Sequence, residues 1–336
     1  MKGFGQKLLV ALLLGVLVYG VFVFIAGGEK IGAAASEFRW SAFGVALVLS
    51  SSNYLLRFLK WEYYLARLSI RNIPKLDSLL IFLSGFVLTV TPGKIGEVFK
   101  SAVLEKTYGV ELARTAPIVL AERLTDVIGV VGLILIGSLG FSGGLFWAAC
   151  GAVAVLIGIV FISWSRPAEA LFGWLENKSE KLQRLSQKLR ISYASLRTVG
   201  SLNALLVPSV LSLVGWGLEG FALSELLRGF GENVSLPLCL FFYSTATLAG
   251  ALVPSPGGLG VAETIMQSQL VGLGGIAEGR ATLAMLLIRL ATLWWAVLVG
   301  FMALGALLLR YPRLLRGAPA EGSTEEPSPR SSANAD

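Results

Sequence analysis

Residues 236–260 read LPLCLFFYSTATLAGALVPSPGGLG. The stretch Leu236 to Val253 is apolar, and Pro254-Ser255-Pro256-Gly257-Gly258 then ends any helix. Apolar residues resume at helical spacing through Ile265–Leu273. A helix that enters an apolar phase, stops at a Pro-Gly turn and leaves as a second short helix reads as a re-entrant hairpin. Irregular backbone at membrane depth is tolerated only where protein or a wet cavity covers it. A second stretch has the same form: Ser78 to Thr91 is too short to span, ends at Pro92-Gly93, and resumes through Val98–Leu104.

Composition places both stretches in a membrane. The chain has 336 residues, 55% hydrophobic and 15% charged, with mean hydropathy +0.73. Soluble domains carry about 25% charged residues, so a soluble enzyme is excluded. A β-barrel would need short strands of alternating polarity, and none is present. A spanning helix needs about 20 apolar residues. Runs of that kind lie at Leu8–Ala26 and at about 41–60, 115–139, 144–164, 203–226 and 281–309. The first is longer than the roughly 7–15-residue core of a signal peptide and reads as a retained helix. The expected fold is therefore all-α and polytopic: about six transmembrane helices plus two re-entrant hairpins.

Absent residues narrow the chemistry. There is no histidine, which removes the commonest general base and most zinc sites. Cys150 and Cys239 lie in apolar runs and read as small core residues, and no phosphate-binding P-loop motif occurs. No metal and no cofactor is expected. The net charge of +7 suits anionic lipid headgroups; without a soluble basic domain, no nucleic-acid partner is expected.

Lys and Arg counts set the orientation. Basic residues crowd 57–75, 94–114, 166–197 and 310–316, whereas 27–40, 140–143 and 227–235 hold few. This places both termini in the cytoplasm, with the first hairpin entering from inside and the second from outside; the expected location is a bacterial cytoplasmic membrane. Leu171, Leu175, Leu182, Leu185 and Leu189 recur at helical spacing, so 166–200 reads as an amphipathic linker on the inner leaflet. Residues 317–336, with Glu321, Glu325, Glu326 and Asp336 against Arg330, read as an acidic disordered tail after a membrane domain over 1–316. Trp40, Trp61, Tyr63 and Tyr64 are expected at the membrane interface.

The broken segments repeat. Pro92-Gly93-Lys94-Ile95-Gly96-Glu97 matches Pro256-Gly257-Gly258-Leu259-Gly260 with its Glu at 263. A span carrying one arginine in its apolar stretch follows each, Arg123 and Arg289, and a span with a Trp and a Glu near one end precedes each, Trp61 and Glu62, then Trp216 and Glu219. The repeats are about 41–139 and 203–309. By the charge argument they run in opposite directions, which is the inverted repeat of transporters whose broken helices meet at the cargo.

A charge inside a spanning helix costs roughly 2.5–3.5 kcal/mol even on the lenient scale and marks a partner or a cavity. Glu122-Arg123-Leu124-Thr125-Asp126 is the densest cluster; Arg123 and Asp126 are placed to pair on one helix face. Arg289 has no acid nearby in sequence, which points to an anionic ligand or to Glu97 or Glu263. The Pro-Gly turns should start short helices, with Lys94 or Gly258 in the first turn. Their free N–H groups suit a phosphate, and Gly93, Gly96, Gly257, Gly258 and Gly260 would let a headgroup approach. The bland alternative is structural: ion pairs that join helices, and glycines that only permit packing.

Together the Pro92–Glu97 motif, the Glu122-Arg123-x-x-Asp126 cluster and the Pro256–Glu263 motif followed by Arg289 resemble the lysylphosphatidylglycerol synthase transmembrane region, the flippase-like domain. The resemblance runs from about Leu8 to Leu309. It implies the lipid-moving half of bifunctional relatives without their soluble aminoacyltransferase. The expected activity is translocation of an anionic or aminoacylated phospholipid, or a polyprenyl-phosphate lipid, between leaflets. The alternatives are a membrane-embedded phospho- or glycosyltransferase, or an accessory subunit that docks a biosynthetic enzyme.

Overall fold

A computed structural model describes residues 17, 19–25, 27–90, 97–138, 144–163, 169, 172, 174, 175, 180–253 and 255–314. Most of the first apolar run, Pro92–Gly96 and the 317–336 tail lie outside the described residues. Helices make up the regular structure, with no strand among the described residues. We number them α1 (Gly28–Glu37), α2 (Ser41–Arg67), α3 (Lys75–Ser84, extended by a 3-10 turn over Gly85–Leu88), α4 (Phe99–Tyr108), α5 (Pro117–Gly137), α6 (Gly144–Ser163) and α7 (Glu180–Val199). The second half holds α8 (Leu202–Gly229), α9 (Leu236–Leu252) and α10 (Val261–Gly272), and then α11, which runs from Glu278 to Arg310.

Among the described residues, α2, α8 and α11 are long and apolar enough to cross a membrane. Their outward faces stay apolar: Leu202, Leu206, Val207, Val210 and Val214 line an exposed stripe of α8 at helical spacing. The hairpin arms are shorter. At about 1.5 Å rise per residue, the 10 residues of α4 and the 12 of α10 fall well short of a bilayer core of about 30 Å. Both broken segments are therefore pairs of short helices.

The turn between α9 and α10 shows why glycine is needed there. Gly257 and Gly258 have φ of 63° and 72°, a left-handed backbone that side chains disfavour. At Gly258 a Cβ would also lie 3.1 Å from the Gly250 Cα. Pro256–Gly258 form a 3-10 turn, and α10 starts only at Val261. Gly258 thus precedes the half-helix, contrary to its expected place in the first turn.

Helices α2 and α8 cross at the centre. Contacts along them run in opposite senses: Arg39 to the Arg228 carbonyl at 2.6 Å, Asn53 to Glu219 at 2.6 Å, and Lys60 to Ser212 at 2.6 Å. The two helices are therefore antiparallel. The hairpin arms are then exchanged. Helix α9 of the second repeat packs on α5 of the first, where Gly137 meets Phe241 and the Pro237 carbonyl; α3 and its 3-10 turn pack on α11, where Gly300 meets Phe86 and Val87. Each half of the chain thus packs on the other.

Two clusters form most of the core. One gathers Leu223, Leu226, Phe241, Phe242, Met285 and Ile288; the other gathers Trp61, Tyr64, Phe82, Phe86, Leu104 and Ile118. Trp61 and Tyr64 are fully buried, so only Trp40 and Tyr63 of the four expected interfacial aromatics keep some exposure. Trp61 donates to Ser78 and Lys100 sits over its ring; the indole packs the first hairpin against α2. Helix α7 packs on α5 and its Ser192 donates to the Ala113 carbonyl. Cys239 is buried. At one end of the bundle Asp77 accepts from Tyr108 and Tyr311 and pairs with Arg310, tying the start of α3 to α4 and to the end of α11. Burial works against ionisation of Asp77, but the two phenol hydrogen bonds and Arg310 outweigh it and hold the carboxyl below the usual range.

Close helix packing at missing side chains generates a test. A Cβ at Gly129 would lie 2.7 Å from the Leu213 nitrogen and 2.8 Å from the Ser212 carbonyl carbon, whereas one at Gly305 meets nothing within 4 Å. Overpacking of this kind costs about 1–3 kcal/mol. Thermal unfolding in detergent should show that loss for Gly129→Ala and none for Gly305→Ala; equal melting temperatures would contradict the α5–α8 contact.

Candidate functional site

Helix α5 carries Glu122, Arg123 and Asp126 in little more than one turn of an otherwise apolar sequence. Burying them is tolerable only with partners, and three other elements supply these. Arg123 pairs with Asp126 at 3.0 Å and with Glu97 at 2.9 Å. Lys60 from α2 reaches Asp126 at 2.7 Å, and Ser212 from α8 donates to the same oxygen at 2.9 Å. Arg57, also from α2, lies 3.3 Å from Glu97. Lys100 from α4 pairs with Glu122 at 2.6 Å.

The second repeat has a simpler version. Arg289 pairs with Glu263 at 2.6 Å and donates to the Gly257 carbonyl at 2.8 Å. Glu263 also accepts the Gly260 N–H at 2.8 Å. That carboxylate therefore occupies the start of α10, where an incoming phosphate was expected. In both repeats the hairpin glutamate and the helix arginine are 26 residues apart, so the motifs correspond through Glu97 and Glu263 rather than through their prolines. Immediately after Arg289 the helix makes a π turn over Leu290–Trp294, a distortion that frequently accompanies functional positions. Tyr54 donates to the Thr292 carbonyl in that turn at 2.7 Å.

The two arginine centres open onto one cavity of about 260 Å³. Arg57, Arg123, Asp126, Glu219 and Arg289 give it charge; Val127, Val130, Leu248, Leu293 and Ala296 give it apolar walls. Glu219 accepts from Asn53 at 2.6 Å and from Tyr243. Gly257 and Gly258 also line the space. It is thus built from both hairpins, both arginine helices and the α2–α8 crossing.

Of the residues singled out by sequence, Glu97, Glu122, Arg123 and Asp126 meet in one network, and Gly257, Gly260, Glu263 and Arg289 in the other. Pro256 and Gly258 shape the intervening turn. Pro92, Gly93, Lys94 and Gly96 lie outside the described residues. Arg57, Lys60 and Lys100 are corrections: sequence counted them as inner-leaflet loop charges, yet Lys60 is 1% exposed and Lys100 2%. Helix α2 runs on to Arg67, which carries Arg57 and Lys60 inside the bundle. Spacing held a clue, since Lys100 follows Glu97 by three residues as Asp126 follows Arg123. Glu62 and Glu219 are likewise not equivalent: Glu62 pairs with the exposed Lys75, whereas Glu219 is buried at the crossing. Among the described residues no three His, Cys, Asp or Glu side chains come together as a metal site.

Aligning the repeats on their ion pairs exposes a difference. The register that sets Glu97 on Glu263 sets Lys100 on Met266, and the one that sets Arg123 on Arg289 sets Glu122 on Ile288. Met266 and Ile288 are buried in one apolar cluster. Removing one member of a buried pair costs about 3–5 kcal/mol, whereas replacing both by packed apolar groups is often neutral. Lys100→Met and Glu122→Ile should each lower stability by about that amount, and the double variant should recover most of it. Losses that simply add in chemical denaturation would show that the two side chains do not act as a pair.

The model of the family described as "Lysylphosphatidylglycerol synthase TM region" matches residues 12–300. The chain is 24% identical to a UPF0104 membrane protein of Methanothermobacter thermautotrophicus over 85% of its own length and 90% of the relative's. It is 25% identical to a UPF0104 membrane protein of Methanocaldococcus jannaschii over 64% of its length and 91% of the relative's. Both relatives are archaeal membrane proteins. They support the membrane location read from the sequence; the bacterial cell and the sidedness of the termini remain expectations of that reading. Matched over most of its length, the chain belongs to the lysylphosphatidylglycerol synthase transmembrane-region family.

Proposed function

We propose that the protein is a lipid translocase that passes an anionic headgroup along the cavity between its two repeats while the acyl tails stay in the bilayer. The observation that carries this reading is one cavity, inside a membrane protein, lined by an arginine from each repeat and by apolar walls. A phosphate needs cationic donors, and apolar walls lower the dielectric around them; the cavity offers both. Charged groups in a low-dielectric site act more strongly than in water, so a few arginines suffice to replace headgroup hydration. No phosphate-binding loop occurs in the sequence, so transport on this reading runs downhill or is coupled to an ion. The lipids in question are phospholipids or a lipid-linked precursor. The basic loops favour insertion in the cytoplasmic membrane with both termini inside.

The test is a fluorescent phosphatidylglycerol in proteoliposomes, with outer-leaflet label quenched by dithionite. The wild-type protein should speed exchange above empty liposomes. Ala251 lines the cavity and is exposed, so Ala251→Trp should fill the path, leave the melting temperature near wild type and slow exchange at least about tenfold. A wild-type rate in that variant, or no exchange with the native protein, would contradict the proposal.

A further inference from the structure

We propose that the two arginines divide the work: Arg123 is the arm that leaves its carboxylates to hold the ligand, and Arg289 is a fixed strut. This rests on the translocase reading of the same cavity and deepens it. Both acids that contact Arg123 have a second cation in place. Glu97 keeps Arg57 at 3.3 Å and Asp126 keeps Lys60 at 2.7 Å. In this network Arg57, Lys60, Lys100 and Arg123 face Glu97, Glu122 and Asp126. Arg123 can therefore swing away with a cation still on each of its two carboxylates. It is also the most open member, with its side chain 23% exposed against 2% for Glu97 and 6% for Asp126. Its Nε is buried and has no hydrogen-bond partner among the described residues.

Arg289 is placed differently. Its Nε holds Glu263, a residue with no exposure, and its Nη2 holds the Gly257 carbonyl of the hairpin turn. Glu263 has the Gly260 N–H as its further partner. Withdrawing Arg289 would leave a buried carboxylate without a cation among the described residues and would release the turn. Such a loss is strongly destabilising.

The charge count also selects a ligand. Freeing Arg123 presents one guanidinium while Arg57 and Lys60 stay on its carboxylates and Glu219, the other acid lining the cavity, stays on Asn53 and Tyr243. That matches a phosphodiester headgroup with a single net negative charge better than a pyrophosphate lipid. Binding is then an exchange: the phosphate oxygens take the guanidinium from Glu97 and Asp126, and both acids remain on α2's cations.

The experiment compares charge-neutral double variants in a neutral detergent, by calorimetry with dihexanoylphosphatidylglycerol. Dihexanoylphosphatidylcholine and dimethyl phosphate serve as the zwitterionic and lipid-free arms. Arg123→Gln with Glu97→Gln should weaken phosphatidylglycerol binding at least tenfold, and at least about threefold more than Arg289→Gln with Glu263→Gln does. Glu97→Gln alone should strengthen binding, since Arg123 loses a competitor; this arm decides the matter if the Arg289 pair fails to fold. Dimethyl phosphate binding as tightly as the lipid would overturn the assignment to a headgroup. Equal effects of the two pairs, or weaker binding in Glu97→Gln, would overturn the division of labour. The same proteins in the exchange assay separate the two claims. The predicted binding pattern without exchange sinks the translocase reading alone; exchange with equal pairs sinks the arginine assignment alone.

Discussion

A charged side chain in a medium of low dielectric must find a partner, and the architecture of this protein follows from where those partners sit. Arg123 and Arg289 lie on long apolar helices, and each is tied to a glutamate on a broken helix 26 residues earlier. That tie fixes where the second arm of each hairpin starts. It also places the Pro-Gly turn of the second hairpin beside the cavity. Because α9 packs on α5 and α3 packs on α11, each tie also positions a hairpin whose first arm rests on the opposite repeat. The ion pairs therefore act as registers between the halves more than as sources of net stability. Buried pairs are weak contributors on that account.

The repeats share this frame but not its filling. The first holds Lys60–Asp126 and Lys100–Glu122 in addition to its arginine pair. The second fills the positions of Lys100 and Glu122 with Met266 and Ile288, and that of Asp126 with Thr292, whose hydroxyl bonds back to the Ile288 carbonyl. Two halves of the same shape thus carry different electrostatics. The first has spare cations around its arginine; the second has a single strut. The charged pairs thus concentrate on one side of the cavity.

Much of this was legible in the sequence because the signals were local. Proline and glycine break helices wherever they fall, so Pro256-Gly257-Gly258 revealed the second hairpin without tertiary knowledge. Arginine in an apolar run stands out against the cost of burying it, so Arg123 and Arg289 were found, and the Arg123–Asp126 pairing followed from helical spacing. What stayed hidden depends on neighbours remote in the chain. Lys60 sits near the end of an apolar run and reads as a loop charge until Asp126 and Ser212, 66 and 152 residues away, are seen around it. Glu219 looks like an end-of-span acid until Asn53 and Tyr243 enclose it. The capping of α10 by Glu263 was missed for a related reason: a helix start can bind its own carboxylate as readily as a ligand's phosphate.

On the translocase reading, a lipid phosphate enters the cavity by taking Arg123 from its carboxylates. The most direct measurement is a cryo-electron microscopy structure in phosphatidylglycerol nanodiscs. The account predicts headgroup density against the Arg123 guanidinium, with Glu97 held by Arg57, Asp126 held by Lys60, and Arg289 still on Glu263. Lipid confined to the outer surface of the bundle, with Arg123 still bridging Glu97 and Asp126, would contradict it.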